Sequence, residues 1–101
     1  MTKKLQKIAT VLDALSNETR LKIFRLLVQN STEGITPTEL SKRLNSLPRN
    51  TLSFHLSLLS NADLCTYQKQ GKQIFYRPNC KIVKEIAAFL LADCCEGDCK
   101  C

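Results

Sequence analysis

Five stretches with apolar residues at helical spacing and one pair of short alternating stretches around a glycine turn predict a mainly α chain with a β-hairpin wing. Their order over 101 residues, ααααββα, sets a short helix, a turn and a second helix directly ahead of the hairpin. That is the arrangement of a winged helix-turn-helix. Basic side chains gather on the same stretch, which points to an anionic partner for the fold.

Each element has a local cause. Leu5, Ile8, Val11, Leu12 and Leu15 form one apolar stripe and predict a first helix from Lys3 to Leu15. Ser16 or Asn17 then caps a second helix, with Leu21, Ile23, Phe24, Leu27 and Val28 facing the core and Arg20, Lys22 and Arg25 outside. It ends in a loop around Asn30–Gly34. Thr36-Pro37-Thr38-Glu39 is a helix start: Thr36 caps, proline suits the first turn and Glu39 closes the box. Leu40 and Leu44 point this short helix inward, and Asn45-Ser46-Leu47-Pro48 turns the chain. A fourth helix runs from Pro48 or Arg49 to Ala62. Leu52, His55, Leu56 and Leu59 line one face and Arg49, Asn50, Ser53 and Ser57 the other. Leu64–Gln68 and Gln73–Arg77 alternate as strands, with Lys69-Gln70-Gly71-Lys72 as the turn between them. Ile82, Val83, Ile86, Phe89 and Leu90 mark a last helix reaching about Asp93.

Length allows one domain, 1–93, followed by a cysteine-rich tail, 94–101. A core this small is modest, so a helix face shared with a second copy would help stability. The formal net charge is +6. No apolar run approaches the roughly 18 residues of a membrane span, and no signal core follows Met1-Thr2-Lys3-Lys4. A cytoplasmic location is therefore expected, where thiols stay reduced and a cysteine cluster serves metal or redox chemistry. Nothing supports an enzyme: there is no phosphate-cradling glycine loop and no cysteine–arginine oxyanion motif. No organic cofactor is expected.

Residues 42–77 carry six basic side chains and one acid, so this segment holds +5 of the total charge. Phosphate neutralisation with counterion release needs such a concentration. Lys42 and Arg43 lie before the turn. On the fourth helix, Arg49 suits guanine and Asn50 adenine, while Thr51, Ser53 and Ser57 suit phosphates or less specific edges. Phe54 lies off the apolar stripe, where it could meet a thymine methyl or pack under the wing. Lys69, Gln70, Lys72 and Gln73 would follow the backbone or the minor groove. The alternative for the helix residues is a plain solvated face. His55, the single histidine, is expected to be a hydrogen-bonded inner residue and not a ligand.

The segment Leu15-Ser16-Asn17-Glu18-Thr19-Arg20-Leu21-Lys22-Ile23-Phe24-Arg25-Leu26-Leu27 resembles the second-helix signature of the ArsR/SmtB repressors. Thr51-Leu52-Ser53-Phe54-His55-Leu56-Ser57-Leu58-Leu59 is similar to their reading helix, and Gly71-Lys72-Gln73-Ile74-Phe75-Tyr76 to their wing. The resemblance implies a homodimer built mainly from first and last helices. It also implies binding to double-stranded operator DNA and repression of a resistance operon, relieved when a toxic ion binds.

Four of the six cysteines crowd the tail: Cys94-Cys95-Glu96-Gly97-Asp98-Cys99-Lys100-Cys101. Joined to a DNA-binding body, such a cluster reads as a sensor for a soft ion. Two sites known in the resembled family lack their ligands here. Thr36-Pro37-Thr38 offers no cysteine at the third helix, and the last helix carries Lys81, Lys84 and Glu85 without histidine. The remaining pattern resembles arsenic-responsive members with a C-terminal thiol triad, which implies Cys94, Cys95 and either Cys101 or Cys99 as ligands of As(III), or of the chemically similar Sb(III). Gly97 would let the tail fold back, and the longer loop favours Cys101. Glu96 and Asp98 oppose thiolate formation, and Lys100 offsets them in part. Divalent ions must displace protons from thiols. Neutral arsenous acid instead condenses with three thiols and releases three waters, without net proton release. Four thiolates could also hold Cd²⁺ or Zn²⁺, Cys99-Lys100-Cys101 could clamp Cu⁺, and a tail pair could form a disulfide.

Overall fold

The computed structural model describes residues 2–93. The elements are α1 (Thr2–Leu15), α2 (Glu18–Gln29), α3 (Pro37–Arg43), α4 (Arg49–Asn61), β1 (Cys65–Gln70), β2 (Gln73–Pro78) and α5 (Cys80–Leu91), in the expected order ααααββα. The tail cysteines Cys94, Cys95, Cys99 and Cys101 lie outside the described residues.

Side-chain chemistry sets the helix starts. The Asn17 side chain accepts from the Arg20 amide at the head of α2, and the Thr36 hydroxyl accepts from the Glu39 amide at the head of α3. Pro48 caps α4 without a side-chain bond. Between α3 and α4, Asn45 and Ser46 both take positive φ, 58° and 60°, and the Ser41 hydroxyl donates to the Leu47 carbonyl at 2.7 Å to close the turn. The wing turn is tighter than expected. Gln70 pairs with Gln73, which leaves Gly71 (φ 64°) and Lys72 as a two-residue hairpin loop.

The core is continuous through the first four helices. Val11, Ile23, Leu27, Leu40, Leu52 and Leu59 are fully excluded from solvent, and Leu64 extends the core to the foot of the wing. Fully burying each such side chain contributes about 1.5–3 kcal/mol. Leu21, expected to face inward, is 47% exposed, whereas Leu26 is partly buried and packs against the core. Arg20, expected outside, is drawn in: its Nε donates to the Ala14 carbonyl at 2.7 Å.

One pairing has no sequence signature. Ile35, in the α2–α3 loop, exchanges both backbone hydrogen bonds with Tyr76 of β2, at 3.0 and 2.9 Å. Gly34 makes this approach feasible at φ 84°; a Cβ there would stand 3.1 Å from both the Phe75 Cβ and the Tyr76 carbonyl oxygen. Arg77 fastens the same loop by donating to the Glu33 carbonyl at 2.9 Å and to the Thr32 carbonyl at 3.5 Å. The wing is therefore tied to the end of α2 as well as to α4.

Candidate nucleic-acid interface

The register of α4 decides which side chains leave the molecule. Leu52, Leu56 and Leu59 are buried, so their opposites Arg49, Asn50, Thr51, Ser53 and Ser57 are exposed along one surface. Phe54 is 61% exposed, and its ring stands edge to face with that of His55, centroids 5.8 Å apart. It does not pack under the wing. Lys69, Gln70, Lys72 and Gln73 stand exposed on the hairpin, and Lys42 and Arg43 on the last turn of α3.

The charges in this region are not equally free. Arg43 is paired with Glu39 one turn earlier, Nε to Oε1 3.2 Å. Arg77 spends its guanidinium on loop carbonyls and on Gln68 Oε1 at 3.4 Å. Lys42, Arg49, Lys69 and Lys72 form no ion pair among the described residues.

Arg49 is held by α3. Its Nη1 donates to the Thr38 hydroxyl at 3.2 Å. Thr36, Thr38, Arg49, Lys72 and Gln73 share a cleft of about 150 Å³ between the head of α3, the head of α4 and the wing turn. In the sequence Thr36 and Thr38 stand only within a helix start; their place beside Arg49 depends on how α3 and α4 cross. A second, larger groove runs between α4 and the wing, lined by Ser53, Ser57, Ser60, Tyr67 and Tyr76.

Behind the exposed face, His55 is half-buried with Nδ1 3.4 Å from Arg20 Nη1. Burial, and then the Arg20 charge, lowers its pKa from the ordinary 6.5. The ring is thus neutral at physiological pH, and Nδ1 can accept from the guanidinium. As expected, it is a hydrogen-bonded inner residue. The Ala14–Arg20–His55 chain links α1, α2 and the exposed helix α4.

Metal-ligating chemistry is sparse in this part of the chain: no three His, Cys, Asp or Glu side chains come together among the described residues. Cys65 is buried at the start of β1, and burial pushes its thiol up to about 11. Cys80 is exposed at the head of α5. No described helix is long and apolar enough to cross a membrane.

Residues 15–67 match a family described as a helix-turn-helix domain. The chain is 32% identical over 98 residues to the transcriptional activator HlyU of Vibrio cholerae, covering 97% of this chain and 87% of that protein. It is 36% identical over 86 residues to a cadmium resistance transcriptional regulatory protein CadC homolog of Staphylococcus aureus, covering 82% and 68%. A 64-residue match, 39% identical, to an uncharacterized HTH-type transcriptional regulator of Methanocaldococcus jannaschii covers 63% of this chain but only 16% of that protein. Among solved structures, an ArsR-like transcriptional regulator from Rhodococcus sp. RHA1 superposes with a TM-score of 0.78 at 28% identity, over 87% of this chain and 79% of that one.

Proposed function

This chain belongs to the ArsR-type winged helix-turn-helix family of DNA-binding transcriptional regulators, and from that premise we propose an arsenite-responsive repressor that works as a cytoplasmic homodimer. The observation that carries the proposal is the tail Cys94-Cys95-Glu96-Gly97-Asp98-Cys99-Lys100-Cys101, which follows α5 in a chain whose α4 face and wing are exposed and basic.

The DNA half rests on shape and charge. A dimer would present two α4 helices to successive major grooves, with Asn50, Thr51, Ser53, Phe54 and Ser57 facing the duplex. Lys42, Arg43, Arg49, Lys69 and Lys72 supply the cations, and Gln70 and Gln73 supply amide donors on the wing. The dimer half rests on apolar surface. Leu5 and Leu12 on α1 are 51% and 41% exposed, and Leu90 and Leu91 on α5 are 58% and 53% exposed. Lys4 Nζ lies 5.5 Å from the Phe89 ring centre, so α1 and α5 meet on one side of the protomer.

The sensing half rests on donor chemistry. As(III), or Sb(III), takes three thiolate sulfurs, and Cys94, Cys95 and Cys101 supply them, with Cys99 as the alternative third. Since α5 leads into the tail and carries exposed apolar residues, an ion bound by the tail thiols would shift the dimer face and the spacing of the two α4 helices. Coupling of this kind is reciprocal, so operator DNA must weaken arsenite binding by the same factor.

Native mass spectrometry of the reduced chain titrated with arsenite tests the proposal, beside Cys94→Ser/Cys95→Ser. One arsenic per subunit with three thiol hydrogens displaced, and loss in the variant, is the expected result. No uptake by the native chain would sink it. Cd²⁺ bound by all four tail thiols is the second reading, favoured by the likeness to the cadmium resistance regulator homolog.

A further inference from the structure

We propose that Thr38, Arg49, Lys72 and Gln73 clamp a single phosphate of the DNA backbone, so that Arg49 anchors α4 on the duplex and does not read guanine. This rests on the DNA-binding reading above and sharpens it.

The cleft they share, about 150 Å³ and open to solvent, has room for one phosphate group. Two cations line it, Arg49 from α4 and Lys72 from the wing turn, and no acidic residue does. The hydrogen bonding is also donor-rich. Arg49 occupies an acceptor lone pair of the Thr38 hydroxyl, which leaves the hydroxyl hydrogen to donate outward. Arg49 keeps four further N–H donors, and the Gln73 amide adds two. A tetrahedral oxyanion accepts several such bonds at once, whereas a base edge is planar and offers guanine only two acceptors. The Thr38 bond holds the Arg49 guanidinium against α3, in the cleft with Lys72 and Gln73, whereas Ser53 and Ser57 line the separate groove between α4 and the wing. Because α3, α4 and the wing all contribute, one bound phosphate would fix all three elements in register with the DNA.

The test is selection of duplexes with a randomised core by the full-length protein, followed by anisotropy titrations from 0.05 to about 0.5 M salt. Arg49→Gln and Lys72→Gln should select the same motif as the native chain. Each should bind roughly fivefold more weakly near 0.15 M salt, with a salt slope smaller by about 1. Adding Thr38→Val to Arg49→Gln should cost little more, since both disturb one contact. Circular dichroism should show all variants folded. Relaxed preference at one base pair in Arg49→Gln, with the salt slope kept, would make Arg49 a base reader and overturn the clamp. Saturable uptake of inorganic phosphate, abolished by Lys72→Gln while DNA affinity stays unchanged, would also overturn it and assign the cleft to a free oxyanion. Failure of the native chain to retain any duplex would remove the DNA-binding reading itself, an outcome no clamp variant can mimic.

Discussion

Single residues carry chemistry that depends on their surroundings. His55 is the clearest case. Its folded pKa lies below the ordinary 6.5, chiefly from burial and then from Arg20. Above that value both folded and unfolded chains hold a neutral ring, so the group contributes no pH dependence. As pH falls below about 6.5 the unfolded chain takes up the proton first, and stability drops until the folded ring also protonates. Thermal unfolding from pH 8 to pH 5 should show this loss in the native chain and a flatter profile in His55→Gln. Cys65 makes the opposite point about reactivity. With its thiol held near 11 and its side chain buried, it is almost wholly protonated at neutral pH and should be inert. Cys65→Ala should release the same number of fast-reacting thiols to a colorimetric disulfide reagent at pH 7 as the native chain. One fewer would show that Cys65 is accessible.

Elements are held together by a few backbone approaches that periodicity does not encode. The Ile35–Tyr76 bridge ties the α2–α3 loop to the wing, and Gly34 is what lets the loop come that close. Gly34→Ala faces both a positive φ and two close contacts on β2, one of them to backbone. The left-handed conformation alone costs about 1–2 kcal/mol. The variant should therefore lose at least about 5 °C in Tm. Gly71→Ala, with nothing within 4 Å of the added carbon, faces the conformational cost alone and should lose less. Equal losses would mean that the contacts at Gly34 relax freely. The α3–α4 turn shows the reverse economy: Asn45 and Ser46 adopt positive φ without glycine, and the Ser41–Leu47 bond holds the turn closed.

The whole molecule leaves apolar surface on α1 and α5 that one protomer does not cover. Leu12→Asp with Leu90→Asp should yield a folded monomer in sedimentation if that surface is the dimer interface. A dimer that survives both substitutions would place the interface elsewhere. A monomer should also lose most of its DNA affinity, because two half-sites bound by one linked pair exceed either alone.

Much of this was legible in the chain itself. Side-chain spacing marks the helices of the helix-turn-helix: on α4 the stripe Leu52, Leu56 and Leu59 is buried, which leaves the opposite face exposed. Thr36, and Ser16 or Asn17, mark helix starts in the sequence because capping is a contact between residues close in sequence; the structure selects Asn17 for α2. The cysteine tail is a matter of composition, and it remains the ground for the sensing proposal. Contacts between residues far apart were decided by tertiary structure alone. Leu21 and Arg20 exchanged their expected environments because helix packing, not periodicity, chose the neighbours of α2. Thr38 met Arg49, and Lys72 came to the same cleft, through the crossing of α3 and α4 and the fold of the wing. Local patterns fix which face of an element is buried; which residues of different elements then touch is set by how those faces pack together.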